Sequence, residues 1–464
     1  MNATEPRGRR LPLVLRNSSF GRVWTAQLLT QAAGRMFQVG AVWWLVGFAA
    51  GGDQRGLESG LFLLVSTLPA VVLAPVVARV VARHPHRTVL AGAAAVAGAV
   101  ATAAALTAYA GDLPMAAVYA VGLALASCQA LFDPCLTTSV PELVDDADIE
   151  AATGFELSTQ SMAGLGGGLL GPLAVDAGGL AGVVTTCGLA YLLAAVLVAS
   201  ARFANAGTAG DGRGSTPGGE AATGTRSAGL VEADSGRENA QAPGTAHGTA
   251  PARRTLSQVL AGLPFVRRVL VCFAAANLFT TAVYVVMPLY TRGVLHSTGS
   301  TVAALEAALG AGTLVGSFTG ARVPGRPTTV GSACLALMAM ALGLPGLVTT
   351  HMVALGSMTV AGWCVGVIGV RFVGLFQRLV PAADKPGFFA VMQALLGATF
   401  PVSSLVFGAL GDHLTARTLC LAQGAGLVPV AAALWWLGRR TQPDGRRTAP
   451  GIAAAHPAPT GEAP

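Results

Sequence analysis

The polar residues of this 464-residue chain that could do chemistry are few, and most of them interrupt long apolar runs. Gln27, Gln31, Arg35 and Gln38 fall within an arc of about 80° at 100° per helical residue, so they form one polar stripe. Gln129 and Asp133 repeat the i, i+4 spacing, as do Glu156 and Gln160. Asn277, Thr281 and Tyr284 follow i, i+4, i+7, and Glu306 and Arg371 stand in two later runs. A charged side chain at the centre of a bilayer costs about 2.5–3.5 kcal/mol on insertion scales, which makes each of these a candidate functional residue. The stripe reads as a cavity lining, because four large polar groups exceed what one helix–helix hydrogen-bond seam needs. Arg35, near mid-membrane, would then face substrate and favour anionic or carbonyl-bearing compounds. Asn277 and Tyr284 could extend the lining, although isolated polar residues more often make packing hydrogen bonds. Asp133, Glu156, Glu306 and Arg371 are the coupling or gating candidates. Their plain alternatives are locally solvated carboxylates at Asp133 and Glu156, and snorkelling to water at Glu306.

Catalytic chemistry has little to stand on. The only lysine, Lys385, is followed by Pro386, so there is no G-x-x-x-x-G-K-S/T phosphate loop. No G-x-S-x-G occurs, and the seven histidines fall in loops, span ends, the linker or the tail. The seven cysteines lie in or beside apolar segments without a C-x-x-C pair, as small buried hydrophobes do. No metal, cofactor or enzymatic activity is expected, and no basic helix with interleaved aromatics suggests nucleic acid.

The elements that position these residues are membrane helices. The chain is 53% apolar and only 11% charged, with mean hydropathy +0.61. Soluble domains carry about 25% charged residues, so a soluble enzyme is excluded. Twelve apolar windows, each long enough to cross about 30 Å of hydrocarbon, span 22–49, 58–82, 88–110, 114–138, 154–177, 180–201, 268–290, 301–322, 328–349, 352–376, 386–411 and 415–438. The fold expected is all-α and integral to the membrane, in two pseudo-symmetric six-helix bundles. The first would be 1–202 and the second 255–440. The first apolar stretch is too long for a cleavable signal core and is read as span one.

Of the 29 Lys and Arg residues, 24 fall on the side of the N-terminus and three (Arg55, Arg292 and Arg417) on the other. The positive-inside rule puts both termini in the cytoplasm. Residues 203–254 and 441–464 are rich in Gly, Ala, Thr and Pro and read as a disordered linker and tail. Leu256–Arg268 reads as an amphipathic segment lying at the inner interface.

Span five carries Gly166 to Leu173 and span eleven Val406 to Asp412, about 240 residues apart, an internal repeat of the kind secondary transporters show. Twelve spans, a cytoplasmic linker between spans six and seven, the Gly167-x-x-x-Gly171-Pro172 core and the loop between spans two and three together resemble the major facilitator superfamily. The closer likeness is to its macrolide-efflux and enterobactin-exporter branch. It rests on Asn17-Ser18-Ser19-Phe20 leading into Gln27 to Trp44, and on Phe132-Asp133-Pro134 to Pro141-Glu142-Leu143-Val144. Gln258 to Arg268 and Gln377-Arg378-Leu379-Val380-Pro381 add to it. The superfamily loop G-x-x-x-D-R-x-x-R-R falls on Ala78, Ala82, Arg83, His86 and Arg87, keeping two arginines and losing the Gly and Asp. Related exporters often carry an acid after the span-one glycine, where this chain has Gly34-Arg35.

The resemblance implies a secondary active exporter of a small amphipathic molecule such as an antibiotic, secondary metabolite or siderophore. Antiport with H+ by alternating access, from a monomer in lipid of the cell membrane, is the expected mode. An importer or uniporter is the alternative within transport, and a non-transporting sensor or scaffold the alternative outside it. Asp133 and Arg371 are expected to pair across the bundles when the inner mouth closes.

Overall fold

A computed structural model describes residues 13–49, 55–111, 113–145, 148–203, 264–380 and 385–440. The readings of 203–254 as linker and of 441–464 as tail fall, apart from Phe203, outside these residues. Of Leu256–Arg268, only Pro264–Arg268 is described, and it forms the first turn of a spanning helix instead of a separate interfacial one.

Among the described residues there are twelve crossings. Span one is Ser18–Trp44, extended by a π-helical turn at Leu45–Ala49. Span two is Arg55–Val72 continued by Ala74–Arg83, interrupted where Pro75 lacks an N–H to bond. Spans three and four are His86–Ala110 and Met115–Leu143. The helical stretch Ile149–Ser200 is a hairpin of spans five (149–177) and six (180–200), because Gly178 and Gly179 leave helical geometry and Gly179 takes φ 62°, a conformation open to glycine. Asp148 at its start meets Arg16, and Arg22 donates to Ser200 O at its end, so both ends return to the same face.

The second bundle comprises span seven (Pro264–Thr281 and Val283–Gly293), span eight (Gly299–Gly320), span nine (Pro327–Leu347), span ten (His351–Leu379), span eleven (Lys385–His413) and span twelve (Ala416–Arg440). Ten helices pass a length-and-hydropathy criterion for crossing a bilayer. Counting the Met162–Ser200 stretch as two passes and adding span one gives twelve. Span one misses the criterion because its polar stripe lowers its hydropathy. Here the face holding the start of span one and the end of span twelve is the terminal face, and the other the opposite face.

The bundles meet along two seams. Span two packs on span eleven, where a Cβ at Gly56 or Gly60 would run into the carbonyl oxygens of Gly408 and Ser404. Span five packs on span eight, with Gly168 against the Glu306 carboxylate and Gly310 against Leu165. Both seams lie from mid-depth to the opposite face. Close approach at small residues is how membrane helices gain contact without a hydrophobic drive.

Candidate functional site

Between the bundles lies a cavity of about 740 Å³ whose walls come from spans one, two, four, six and eleven. The span-one stripe supplies Gln31, Arg35 and Gln38 to it, and span four supplies Gln129 and Asp133. Phe37, Val71, Leu125 and Phe400 give it apolar walls. A period of 3.6 residues therefore does put most of the stripe on one lined face. Gln27 is the exception. It is buried below the cavity and its amide donates to the Glu156 carbonyl at 3.4 Å, a packing contact within the first bundle.

Arg35 does not face the cavity with an open charge. Its Nη2 lies 3.6 Å from Glu306 Oε1 on span eight, its Nη1 donates to Gln38 Oε1 at 2.9 Å, and its guanidinium sits 4.5 Å over the Tyr284 ring of span seven. Tyr284 in turn packs on Phe400, with centroids 5.6 Å apart. Glu306 is 7% exposed, so burial against Arg35 replaces the expected snorkelling. This is an ion pair between bundles at mid-depth, and Gly168 is the small residue that lets the carboxylate in.

Asp133 Oδ1 accepts from Gln31 Nε2 at 3.2 Å and from Gln129 Nε2 at 2.6 Å. Glu156 accepts from the Thr137 hydroxyl. Arg371 stays within its own bundle, donating to the carbonyls of Val323 and, at 3.0 Å, Gly325 in the loop after span eight. The structure thus holds Arg35 with Glu306, and not Asp133 with Arg371. Asn277 donates to Leu396 O at 2.9 Å and Thr399 Oγ1 at 2.5 Å, tying span seven to span eleven beside a separate cavity of about 210 Å³.

The remaining motif residues make structural contacts, most of them within the first bundle. Gly167 and Gly171 seat span five on the span-one backbone at Ala32, Met36 and Gly40, and the Pro172 carbonyl lies against Gly299. Arg87 donates to Ala199 O at the end of span six, and His86 pairs with Glu142 at 2.7 Å. Arg83 is exposed beside them.

Two residues outside the sequence-derived set close the opposite face. Asp176, at the end of span five, accepts from Gly299 N at 2.6 Å, the first residue of span eight, and from Trp43 Nε1 at 2.9 Å. Asp412, at the end of span eleven, accepts from Gly56 N at 2.7 Å and Leu57 N at 3.0 Å, in the first turn of span two. Each bundle lends a carboxylate to the helix N-terminus of the other, a favourable place for negative charge. Arg292 adds a third crossing, donating to Gly47 O at 3.2 Å. Asp412 sits in the repeat with span five, which was the available signal.

Residues 23–383 match the family model of the Major Facilitator Superfamily, and the chain belongs to that superfamily. Its fold is similar to that of a bacterial homologue of the human lysosomal transporter Spinster, solved in an inward-facing, unoccupied conformation. There the TM-score is 0.66 at 11% identity, over 91% of this chain and 97% of that one. It is likewise similar to a bacterial homologue of the iron transporter ferroportin, solved in an inward-facing state (TM-score 0.61, 12% identity, 90% of this chain and 98% of that one). The nucleoside transporter NupG is a third (TM-score 0.59, 12% identity, 90% and 99%). No curated protein matches the chain significantly. The chain is a multi-pass membrane protein of a transporter family.

Proposed function

We propose that this protein is a secondary active exporter that moves an amphipathic small organic molecule out of the cell, in exchange for protons, by alternating access. The observation that carries the reading is the Arg35–Glu306 pair, its carboxylate buried and its guanidinium partly so, which joins the two bundles beside the central cavity. A buried pair holds only while both partners are charged, since removing one leaves an uncompensated charge costing about 3–5 kcal/mol. Protonation of Glu306 would therefore release Arg35 from span eight and loosen the bundles at mid-depth, and deprotonation would restore the tie.

The arginine distribution supports placing the terminal face in the cytoplasm of the cell membrane. On that orientation the contacts of Asp176, Asp412 and Arg292 close the outer face, and the cavity serves the inner one. One proton moving across 100 mV yields about 2.3 kcal/mol, enough to drive a modest gradient of cargo. The likeness of Asn17–Trp44 and Phe132–Val144 to macrolide and enterobactin exporters supports those chemistries as the first cargoes to try. The test is flux into inside-out vesicles with a panel of macrolides and siderophores under an imposed pH gradient. We expect gradient-dependent uptake of at least one class, abolished by Glu306→Gln. Absence of flux across the panel, or flux unchanged in Glu306→Gln, would overturn the reading.

A further inference from the structure

The corner of the cavity around Gly34 has a charge and hydrogen-bond balance that selects its ligand. Two charged residues line the cavity, Arg35 and Asp133. Arg35 is answered by Glu306, by Gln38 and by the face of Tyr284. Asp133 is not: among the described residues no Lys, Arg or His nitrogen lies within 4.0 Å of it, and its Oδ2 accepts no hydrogen bond. Glu156, one span over toward the terminal face, also lacks a described cationic partner, and its carboxylate accepts from Thr137. The charged groups described at and beside the end of the cavity nearer the terminal face are thus both carboxylates.

The neutral groups there are matched to a donor. Because both amide nitrogens of Gln31 and Gln129 are drawn onto Asp133 Oδ1, the two amide oxygens must turn away from it. Among the described residues Gln31 Oε1 and Gln129 Oε1 are buried without a hydrogen-bond partner, and so is Tyr191 Oη, whose residue is 2% exposed. All three residues line the cavity around Gly34. A Cβ at Gly34 would lie 3.2 Å from Tyr191 Oη and 4.0 Å from Gln129 Oε1, so the absent side chain keeps this corner open. Buried polar atoms left unpaired cost free energy, and a ligand that pairs them recovers it. An ammonium group brings three donors, no acceptor and one positive charge. A carboxylate would bring acceptors to the two amide oxygens, with the Tyr191 hydroxyl alone able to donate to it, and a second negative charge.

We propose that Asp133, Gln31, Gln129 and Tyr191 form the receiving site for a protonated amine carried on an apolar body, the body lying against Phe37, Leu125 and Phe400. This reverses the preference that Arg35 alone suggests. It deepens the transport reading, on which its physiological meaning rests, and is tested by binding alone.

The experiment uses two probes that share a fluorophore and spacer and differ at the tip. Dansylcadaverine ends in an ammonium, and dansyl-6-aminohexanoate ends in a carboxylate. Equilibrium binding of each to the full-length protein in lipid nanodiscs should favour the ammonium probe by about tenfold or more. Asp133→Asn should weaken the ammonium probe about tenfold while leaving the carboxylate probe equal or tighter. Tyr191→Phe and Gly34→Ala, which keep the charge, should each weaken it several-fold, and serve if Asp133→Asn does not elute as a folded monodisperse species. Equal or tighter binding of the carboxylate probe to the wild type, or unchanged ammonium affinity in Asp133→Asn or in Tyr191→Phe and Gly34→Ala together, overturns the assignment. Vesicle flux separates the two readings. Ammonium preference without any flux supports the site and sinks transport, whereas flux without the preference sinks only the site.

Discussion

Arg35 and Glu306 are the pair on which the chemistry turns, and they show what one residue can and cannot disclose alone. Within its own span Arg35 is a cation on a glutamine stripe. Its meaning changes when span eight brings a carboxylate to 3.6 Å and span seven lays an aromatic face under the guanidinium. Removing either charge leaves the other buried. Glu306→Gln and Arg35→Gln should each lower the thermal unfolding midpoint of the purified protein, Arg35→Gln the more because it leaves the Glu306 carboxylate buried without its partner. The double variant should recover most of it, read as a coupling energy in a double-mutant cycle. Additive losses would mean that the two side chains do not depend on each other. Arg371 is a different case. Its contacts are backbone carbonyls of Val323 and Gly325, so Arg371→Gln should destabilise the loop after span eight rather than shift binding. Unchanged probe affinity together with faster proteolysis at residues 321–326 would be the expected signature.

At the scale of elements, glycine and aspartate do the positioning. The span two–eleven seam admits no side chain at Gly60, where the Ser404 carbonyl occupies the place of a Cβ. Gly60→Val should therefore splay the opposite face even if the chain inserts normally, and flux should fall by an order of magnitude or more. Flux near wild type with a bulky residue there would show that the seam is not closed in the working protein. Most of the elements were legible in the sequence, because twelve windows of membrane length need no long-range information. The twelve windows agree with the observed helices to within a few residues at most ends, the hairpin bend at Gly178–Gly179 included. What one sequence could not disclose was pairing between bundles. The stripe of Gln31, Arg35 and Gln38 follows from helical periodicity, whereas its partner Glu306 lies on a helix far along the chain. Asp176 and Asp412 were overlooked because acids at span ends are ordinarily solvated. Tyr191 was overlooked because an aromatic in an apolar run reads as packing, and only the structure puts its hydroxyl beside Gly34.

At the scale of the molecule, the polar contacts between bundles among the described residues lie at mid-depth and on the opposite face. Arg35–Glu306 lies at mid-depth, and Asp176, Asp412 and Arg292 lie on the opposite face. Carboxylates at helix N-termini contribute about 0.3–2 kcal/mol each, so the two aspartates together bias the conformational equilibrium by about 0.6–4 kcal/mol, or about 3–900-fold. Because each is supplied by one bundle to the other, neither contact survives a rocking of the bundles that opens this face. On the orientation proposed above, they would form a latch on the outer side. The measurement that tests this most directly is the distance distribution between spin labels on exposed loops of the two bundles. Arg83→Cys with Arg322→Cys would serve for the terminal face and Gly111→Cys with Thr350→Cys for the opposite face, in a background lacking the native cysteines. In Asp176→Asn/Asp412→Asn we predict shorter terminal-face distances and longer opposite-face distances than with both aspartates present, the two changing together. Distributions that stay the same on both faces, in the presence and absence of the aspartates, would contradict an alternating-access protein held closed at its opposite face by these contacts.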